Sequence, residues 1–141
     1  MPIDKNLVNN QLSQLENLLR RIENMDIAEN ELLENLDIQD LLTFRLQQAV
    51  EICIDIATHL ISGLALEKSE TARSSFEVLA KNKIIGADLA EKLGFAVSFR
   101  NLAVHGYDKF DFSRLFRDYK EDVDDLKIFM TEIVKYINSA V

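Results

Sequence analysis

The residues best suited to chemistry lie within eight positions of one another, and they are Arg100, Asn101, His105 and Tyr107. An arginine guanidinium presents a planar fork of donors that fits a phosphate, and a histidine takes or gives a proton near neutral pH. An asparagine can bind a ligand or orient the histidine, and a tyrosine can stack on a base or donate from its hydroxyl.

Together these groups suit RNA cleavage that needs no metal and no cofactor. A base removes the proton of a 2′-hydroxyl, and the freed oxygen attacks the adjacent phosphate. An acid protonates the leaving oxygen, while an arginine stabilises the charge that develops on the phosphate. The sequence therefore makes Arg100 and His105 the candidate catalytic residues.

The spacing of Arg100 and His105 complicates this chemistry within one chain. Five positions correspond to ~140° around an ideal helix, so the two side chains do not share a face. Either the last helical turn deforms at Gly106, or the groups converge across the interface of a symmetric dimer. A dimer would also supply a second histidine as the acid. The alternative without catalysis is that both residues serve only in helix capping and ion pairs.

Composition predicts one helical domain over residues 1–141. Apolar residues make up 48% and charged residues 28%, which is typical of a soluble globular protein. Four glycines and one proline are too few for the many turns of an all-β fold. We expect an all-α, antiparallel up-and-down bundle of four main helices plus a short helix.

Apolar residues recur at helical spacing in five segments, which are 4–25, 37–64, 75–84, 87–105 and 113–137. Segment 29–35 is open to two interpretations, another helical turn or a loop. Gly106 is predicted to end the fourth of the five helices. Candidate N-caps are Asp37, Ser74 or Ser75, and Ser113.

The net charge and the number of cysteines limit which classes of partner and which cell compartment fit this sequence. The net charge of −8 argues against a general nucleic-acid coat protein, yet it allows a small basic pocket or a partner with a basic surface. Cys53 is the only cysteine, which excludes an intrachain disulfide and favours a reducing cytoplasm. No apolar run reaches the ~18 residues of a membrane span, so no membrane association is expected.

Segment 37–64 is apolar on nearly all sides, which predicts a central or interface helix. A polar line interrupts it at Glu51, Asp55 and His59, four residues apart in each step. It is either a narrow strip facing solvent or a set of groups that hold Arg100 and line its cleft. Asp55 is the candidate for holding Arg100 in place, since a buried carboxylate beside that arginine would be paired and would remain ionised. A metal site at Asp55 and His59 is disfavoured because no third ligand is evident.

The order Arg, Asn, three apolar residues, His, one residue and Tyr over 100–107 resembles the signature of HEPN-domain ribonucleases. It resembles in particular the HepT-type toxins of prokaryotic toxin–antitoxin pairs. Segments 51–59, 75–85 and 87–99 are also similar to that family. Ala103 departs mildly from the pattern, since relatives often carry a larger or basic residue there, and this difference would alter how the chain binds RNA.

The resemblance implies a HEPN-like bundle that forms a homodimer, with the two motifs facing one cleft. It implies a metal-independent endoribonuclease with Arg100 as the phosphate and transition-state group and His105 as the acid–base residue. Asn101 would match the polar residue that follows the arginine. The implied partner is an MNT-type nucleotidyltransferase antitoxin that transfers AMP from ATP to Tyr107 and so blocks RNA. RNA contacts are expected from Arg100 together with Arg73, Lys81, Lys83 and Lys109.

Two other functions fit the same sequence. One is a non-catalytic HEPN subunit that binds nucleotide or substrate for a partner nucleotidyltransferase, which would use the same pocket. The other is a purely structural helical dimer, in which substitutions of Arg100 and His105 would have no effect on growth.

Overall fold

The structure, a computed structural model, describes residues 3–105 and 110–139, and it contains six α-helices and no strand in those ranges. In chain order they are α1 (Lys5–Glu23), α2 (Glu29–Glu34), α3 (Leu36–Gly63), α4 (Ala72–Lys81), α5 (Ala87–His105) and α6 (Phe112–Ser139). The predicted all-α class is confirmed. Segment 29–35 contains the short helix α2, so the four long helices are joined by two short ones. Within the described ranges, no helix combines the length and apolarity that crossing a bilayer requires.

Helix α3 lies at the centre of the bundle and contacts each of the other five helices. Its apolar residues explain this position, since Cys53, Ile56 and Leu60 are completely buried. Phe76 of α4 and Phe129 of α6 meet edge to face, with ring centroids 5.8 Å apart, and both are buried. Burial of each such large side chain contributes about 1.5–3 kcal/mol, so the core fixes the helices around α3.

The helices begin at caps that lie two to four residues before the predicted ones. Asn35 accepts hydrogen bonds from the backbone N–H groups of residues 37 and 38 with its side chain, and Asp37 is not the cap. Thr71 caps α4, where its hydroxyl and that of Ser74 bond each other's backbone N–H groups. At α6, the Asp111 carboxylate accepts from the backbone N–H of Arg114 at 3.1 Å. In each case the predicted residue is inside the first turn, because the cap stands before the first helical residue.

Contacts with α6 hold α5 along its length. Glu132 accepts a 2.8 Å hydrogen bond from the backbone N–H of Gly86, just before α5 begins. Lys92 Nζ lies 3.9 Å from Asp125 Oδ1 near the middle of the pair. At the other end, Phe99 packs against Phe110, two residues before α6 begins, with ring centroids 5.4 Å apart. These contacts fix the direction in which α5 presents its C-terminal turn.

Candidate active site at the end of helix α5

Arg100 is held by the central helix. Its Nη1 lies 2.9 Å from Oε1 of Glu51 on α3, and the arginine side chain is 23% exposed. The Nε atom is buried and has no hydrogen-bond partner among the described residues. Among the described residues, one carboxylate thus orients the guanidinium, and its other nitrogens have no ion pair there. Such a group is prepared to receive an anion.

His105 differs from Arg100 in its surroundings. It is the last residue of α5 and is exposed, and it forms no hydrogen bond or ion pair with a residue in 3–105 or 110–139. The helix continues to His105, so the last turn before Gly106 is not deformed. The regular helical repeat therefore sets the Arg100 and His105 side chains ~140° apart around the axis, on different faces of α5.

The other two residues of the motif have different outcomes. Asn101 is exposed and precedes His105 by four positions, which puts both on one face of α5. Tyr107, the predicted modification site, lies outside the described residues. Gly106 and Lys109 lie outside them as well.

The polar line of α3 divides into separate environments. Glu51 pairs with Arg100, as one of the two interpretations predicted for this line. Asp55 is exposed and has no ion pair with a described residue, so its role in holding Arg100 stays a prediction. His59 accepts at Nε2 from the backbone N–H of Asp4 at 3.3 Å. Across 3–105 and 110–139, no group of three or more potential ligands could hold a metal ion.

The sequence did not assign Glu51 to Arg100 in preference to Asp55. The i, i+4 spacing of the line was a signal that both could approach α5, since residues four apart share a face. The choice between them depends on the height at which α5 crosses α3, which is set by packing.

The basic side chains that were predicted to contact RNA are also in different states. Lys81 Nζ lies 2.7 Å from the Glu67 carboxylate, and this hydrogen bond raises the pKa of Lys81. Arg73 is exposed and donates from Nη2 to the Ser98 hydroxyl at 2.6 Å. Lys83 is exposed. Among the described residues, Lys81 therefore has a carboxylate partner, whereas Arg73 and Lys83 have none.

Residues 9–133 match the family model described as ribonuclease HepT-like. The chain belongs to the ribonuclease HepT-like family. It is 27% identical to the mRNA nuclease HepT of Shewanella oneidensis over 127 residues, which cover 90% of this chain and 96% of that protein.

Solved structures agree with this membership. The fold is similar to a tri-AMPylated HEPN toxin of Shewanella oneidensis in complex with an MNT antitoxin, with a TM-score of 0.85 and 26% identity. That match covers 91% of this chain and 96% of the toxin. A toxin–antitoxin structure with AMP-PNP gives a TM-score of 0.86 at 25% identity, covering 92% of this chain and 98% of that one. YutE of Bacillus subtilis, a cytosolic protein of unknown function, shares the fold at 16% identity and a TM-score of 0.87, covering 99% and 94% of the two chains.

The predicted resemblance to HepT-type HEPN toxins is confirmed, and so is the predicted enzyme class, a ribonuclease. The predicted HEPN-like bundle is confirmed as well.

Proposed function

We propose that this chain is the toxin of a toxin–antitoxin pair, an endoribonuclease that acts on cellular RNA without a metal ion. Residues 1–141 would form one HEPN-like domain that works in the cytoplasm. The observation that carries the proposal is the end of α5. There an arginine held by Glu51 precedes an exposed histidine by five positions, in a chain of the HepT-like family. The Shewanella relative is named an mRNA nuclease, so mRNA is the first substrate to test.

In the proposed reaction, His105 takes the proton of the 2′-hydroxyl. The 2′-oxygen bonds to phosphorus, and the bond from phosphorus to the 5′-oxygen of the next nucleotide breaks. A second histidine protonates that leaving oxygen, and Arg100 stabilises the charge on the phosphate oxygens. The products are a 2′,3′-cyclic phosphate and a 5′-hydroxyl, so no redox partner or cofactor is needed.

A homodimer would supply the second histidine as the partner's His105. The outer face of α3 suits such an interface, since Phe44 is 57% and Leu41 42% exposed. They line a groove of about 430 Å³ between α1 and α3. Glu51 follows Phe44 by seven positions and so lies on the same face. A two-fold axis through this face would bring the two Arg100 sites towards each other.

Two further residues complete the proposed cleft. The exposed Asn101 amide would bind the RNA backbone beside His105 or orient the imidazole. Asp55, one turn beyond Glu51, would line the same cleft and keep Arg100 oriented once a dimer excludes water from it.

We also propose that an MNT-type nucleotidyltransferase antitoxin inactivates the chain by transferring AMP to Tyr107. The tri-AMPylated state and the MNT partner belong to the Shewanella toxin, and the family match supports their extension to this chain. The tyrosine oxygen would attack the α-phosphorus of ATP, and pyrophosphate would leave. The added phosphate would then compete with RNA for Arg100 and repel its backbone.

Cleavage of single-stranded RNA by the purified chain tests the nuclease. We expect cleavage in the presence of EDTA, and at least a hundredfold loss in Arg100→Ala and in His105→Ala. Arg20→Ala is the matched control, because Arg20 is exposed and its helix α1 does not contact α5. Cleavage that survives both site substitutions would contradict the proposal. An inactive wild type that binds nucleotide tightly would favour the non-catalytic HEPN subunit.

Mass spectrometry after incubation with the antitoxin and ATP tests the modification. We expect a gain of one or more AMP units, lost in Tyr107→Phe and kept in Tyr119→Phe, because Tyr119 is only 2% exposed. An adduct that persists in Tyr107→Phe would show that another residue is modified.

A further inference from the structure

Arg73 is docked on helix α5 instead of extending into solvent. It projects from the first turn of α4 and crosses α5 at Gly94, and its Nη2 donates to the Ser98 hydroxyl at 2.6 Å. The Ser98 hydroxyl in turn donates to the backbone carbonyl of Gly94 at 3.3 Å. The guanidinium therefore has a defined location between two helices.

Gly94 provides the space for this arrangement. A Cβ added at Gly94 would lie 2.5 Å from Nη1 and 3.1 Å from Cζ of Arg73, which is too close for the guanidinium to stay. Glycine inside a helix is unfavourable because it has the most backbone freedom to lose. A glycine in the middle of α5 is thus explained by the arginine that lies over it.

The charge of Arg73 is not offset. Within 3–105 and 110–139, Arg73 has no carboxylate within ion-pair distance, whereas Lys81, on the same short helix, pairs with Glu67. Its hydrogen bond to Ser98 goes to a neutral hydroxyl, and the residue is exposed. In a chain of net charge −8, an ordered guanidinium that no described carboxylate pairs with is a local site for an anion.

The Arg73 guanidinium lies over the same face of α5 that carries His105 at its C-terminal end. Gly94, Ser98, Asn101 and His105 are spaced by four, three and four residues, which places them within ~60° around the helix. Ser98, Asn101 and His105 are all exposed. Ser98 and His105 are separated by ~10 Å along the axis. A nucleic-acid strand that follows this face passes from Arg73 to His105.

We propose that Arg73, docked on Gly94 and held by Ser98, binds a non-scissile phosphate of the RNA strand whose reacting phosphate lies at His105. Arg73 is a binding residue, and it takes no part in proton transfer. The inference rests on the proposed ribonuclease function and adds the path that the substrate follows along α5.

The test measures binding of a fluorescein-labelled single-stranded RNA of mixed sequence to the His105→Ala chain, by anisotropy across a series of salt concentrations. Arg73→Ala should weaken binding about tenfold at low salt. It should also reduce the slope of log affinity against log salt by ~0.7, the amount for one phosphate contact. Arg20→Ala removes the same charge elsewhere and should leave both values within about twofold of the parent.

Two charge-preserving variants separate a docked site from bulk charge. Gly94→Ala pushes the guanidinium away without removing it, and circular dichroism should show an intact helical fold, since only the end of a flexible side chain must move. Ser98→Ala removes the tether. Both should weaken RNA binding in the direction of Arg73→Ala, by about threefold. In the cleavage-competent chain, Arg73→Ala should raise KM and leave kcat unchanged.

Equal binding by Arg73→Ala and Arg20→Ala would overturn the inference. So would weak binding in Arg73→Ala with unchanged binding in both Gly94→Ala and Ser98→Ala, because the position would then be irrelevant. Failure of the nuclease proposal is measured separately: either the wild type does not cleave RNA, or cleavage survives in His105→Ala. If the wild type does not cleave RNA but its RNA binding still depends on Arg73, the nuclease proposal fails and the face of α5 from Arg73 to His105 is an RNA-binding site only.

Discussion

Arg100 on α5 and Glu51 on α3 form an ion pair with 2.9 Å between Nη1 and Oε1. It connects the catalytic candidate to the central helix, and the arginine side chain is largely buried there. An arginine with many rotatable bonds loses entropy when a ligand orders it, so a carboxylate that orders it beforehand lowers that cost. The pair is therefore expected to affect both stability and turnover.

Glu51→Gln should lower kcat for RNA about tenfold and reduce the free energy of unfolding by about 1 kcal/mol, because Arg100 loses its charged partner. Asp55→Asn, one turn further along α3, should have a smaller effect on both. The measurements are steady-state cleavage and urea unfolding. Faster cleavage by Glu51→Gln would contradict the positioning role and make Glu51 a competitor of the substrate phosphate.

A site shared between protomers predicts complementation. If each cleft takes Arg100 from one chain and His105 from the other, a dimer of one Arg100→Ala chain and one His105→Ala chain keeps one intact pair. The proposed reaction also uses the second chain's His105 as the acid, and the mixed dimer lacks that histidine. Mixing the two inactive variants should then restore measurable activity that stays below a quarter of the wild-type value, since half of the dimers are mixed and each has one site with a single histidine.

The control for this experiment is Phe44→Glu in both inactive chains. The charge at an exposed apolar position should prevent dimerisation, which light scattering checks, and should abolish the restored activity. No restoration in stable mixed dimers would mean that each site lies within one chain or needs both histidines.

Asp122 predicts a pH dependence of stability. Burial, and then the nearby Asp125, Asp118 and Glu121, raise its pKa from 3.8 to about 6. The folded state therefore binds more protons than the unfolded chain between these values. This carboxyl makes the protein more stable as pH falls through 6 and less stable when it is charged above 6.

Asp122→Asn should therefore stabilise the fold at pH 7.5 by about 1 kcal/mol, less than the full pKa shift would give because the carboxyl is partly exposed. The gain should vanish below pH 4. Thermal unfolding at several pH values measures it, with the exposed neighbour Asp124→Asn as the charge control. A loss of stability at pH 7.5 would show that Asp122 makes a favourable interaction in its charged form.

Cys53 should be unreactive in the native protein. Its side chain is completely buried in α3, and burial raises the pKa of the thiol far above its usual range, so no thiolate forms at neutral pH. DTNB should release colour only after unfolding, and the signal is unambiguous because the chain has one cysteine. A chain with Ser62→Cys, at an exposed position of α3, should react at once. Rapid native reaction of Cys53 would mean that the core around α3 opens readily.

Helix caps illustrate the limits of prediction from sequence. The periodicity of apolar residues located α1, α3, α5 and α6, because burial on one face imposes a repeat of 3.6 residues. It did not locate Asn35, Thr71 and Asp111 as the residues that begin helices, because neighbouring polar residues are equally able to cap. The choice is made by where the chain enters each helix, which depends on packing.

The sequence alone determined the helical class, the central position of the nearly all-apolar helix and the ~140° between Arg100 and His105, since these follow from residue type and helical repeat. Tertiary structure decided which carboxylate holds Arg100 and that Arg73 lies over Gly94. Both depend on the height and angle at which two helices cross. Those are set by the complementary shapes of many buried side chains, and no local pattern records them.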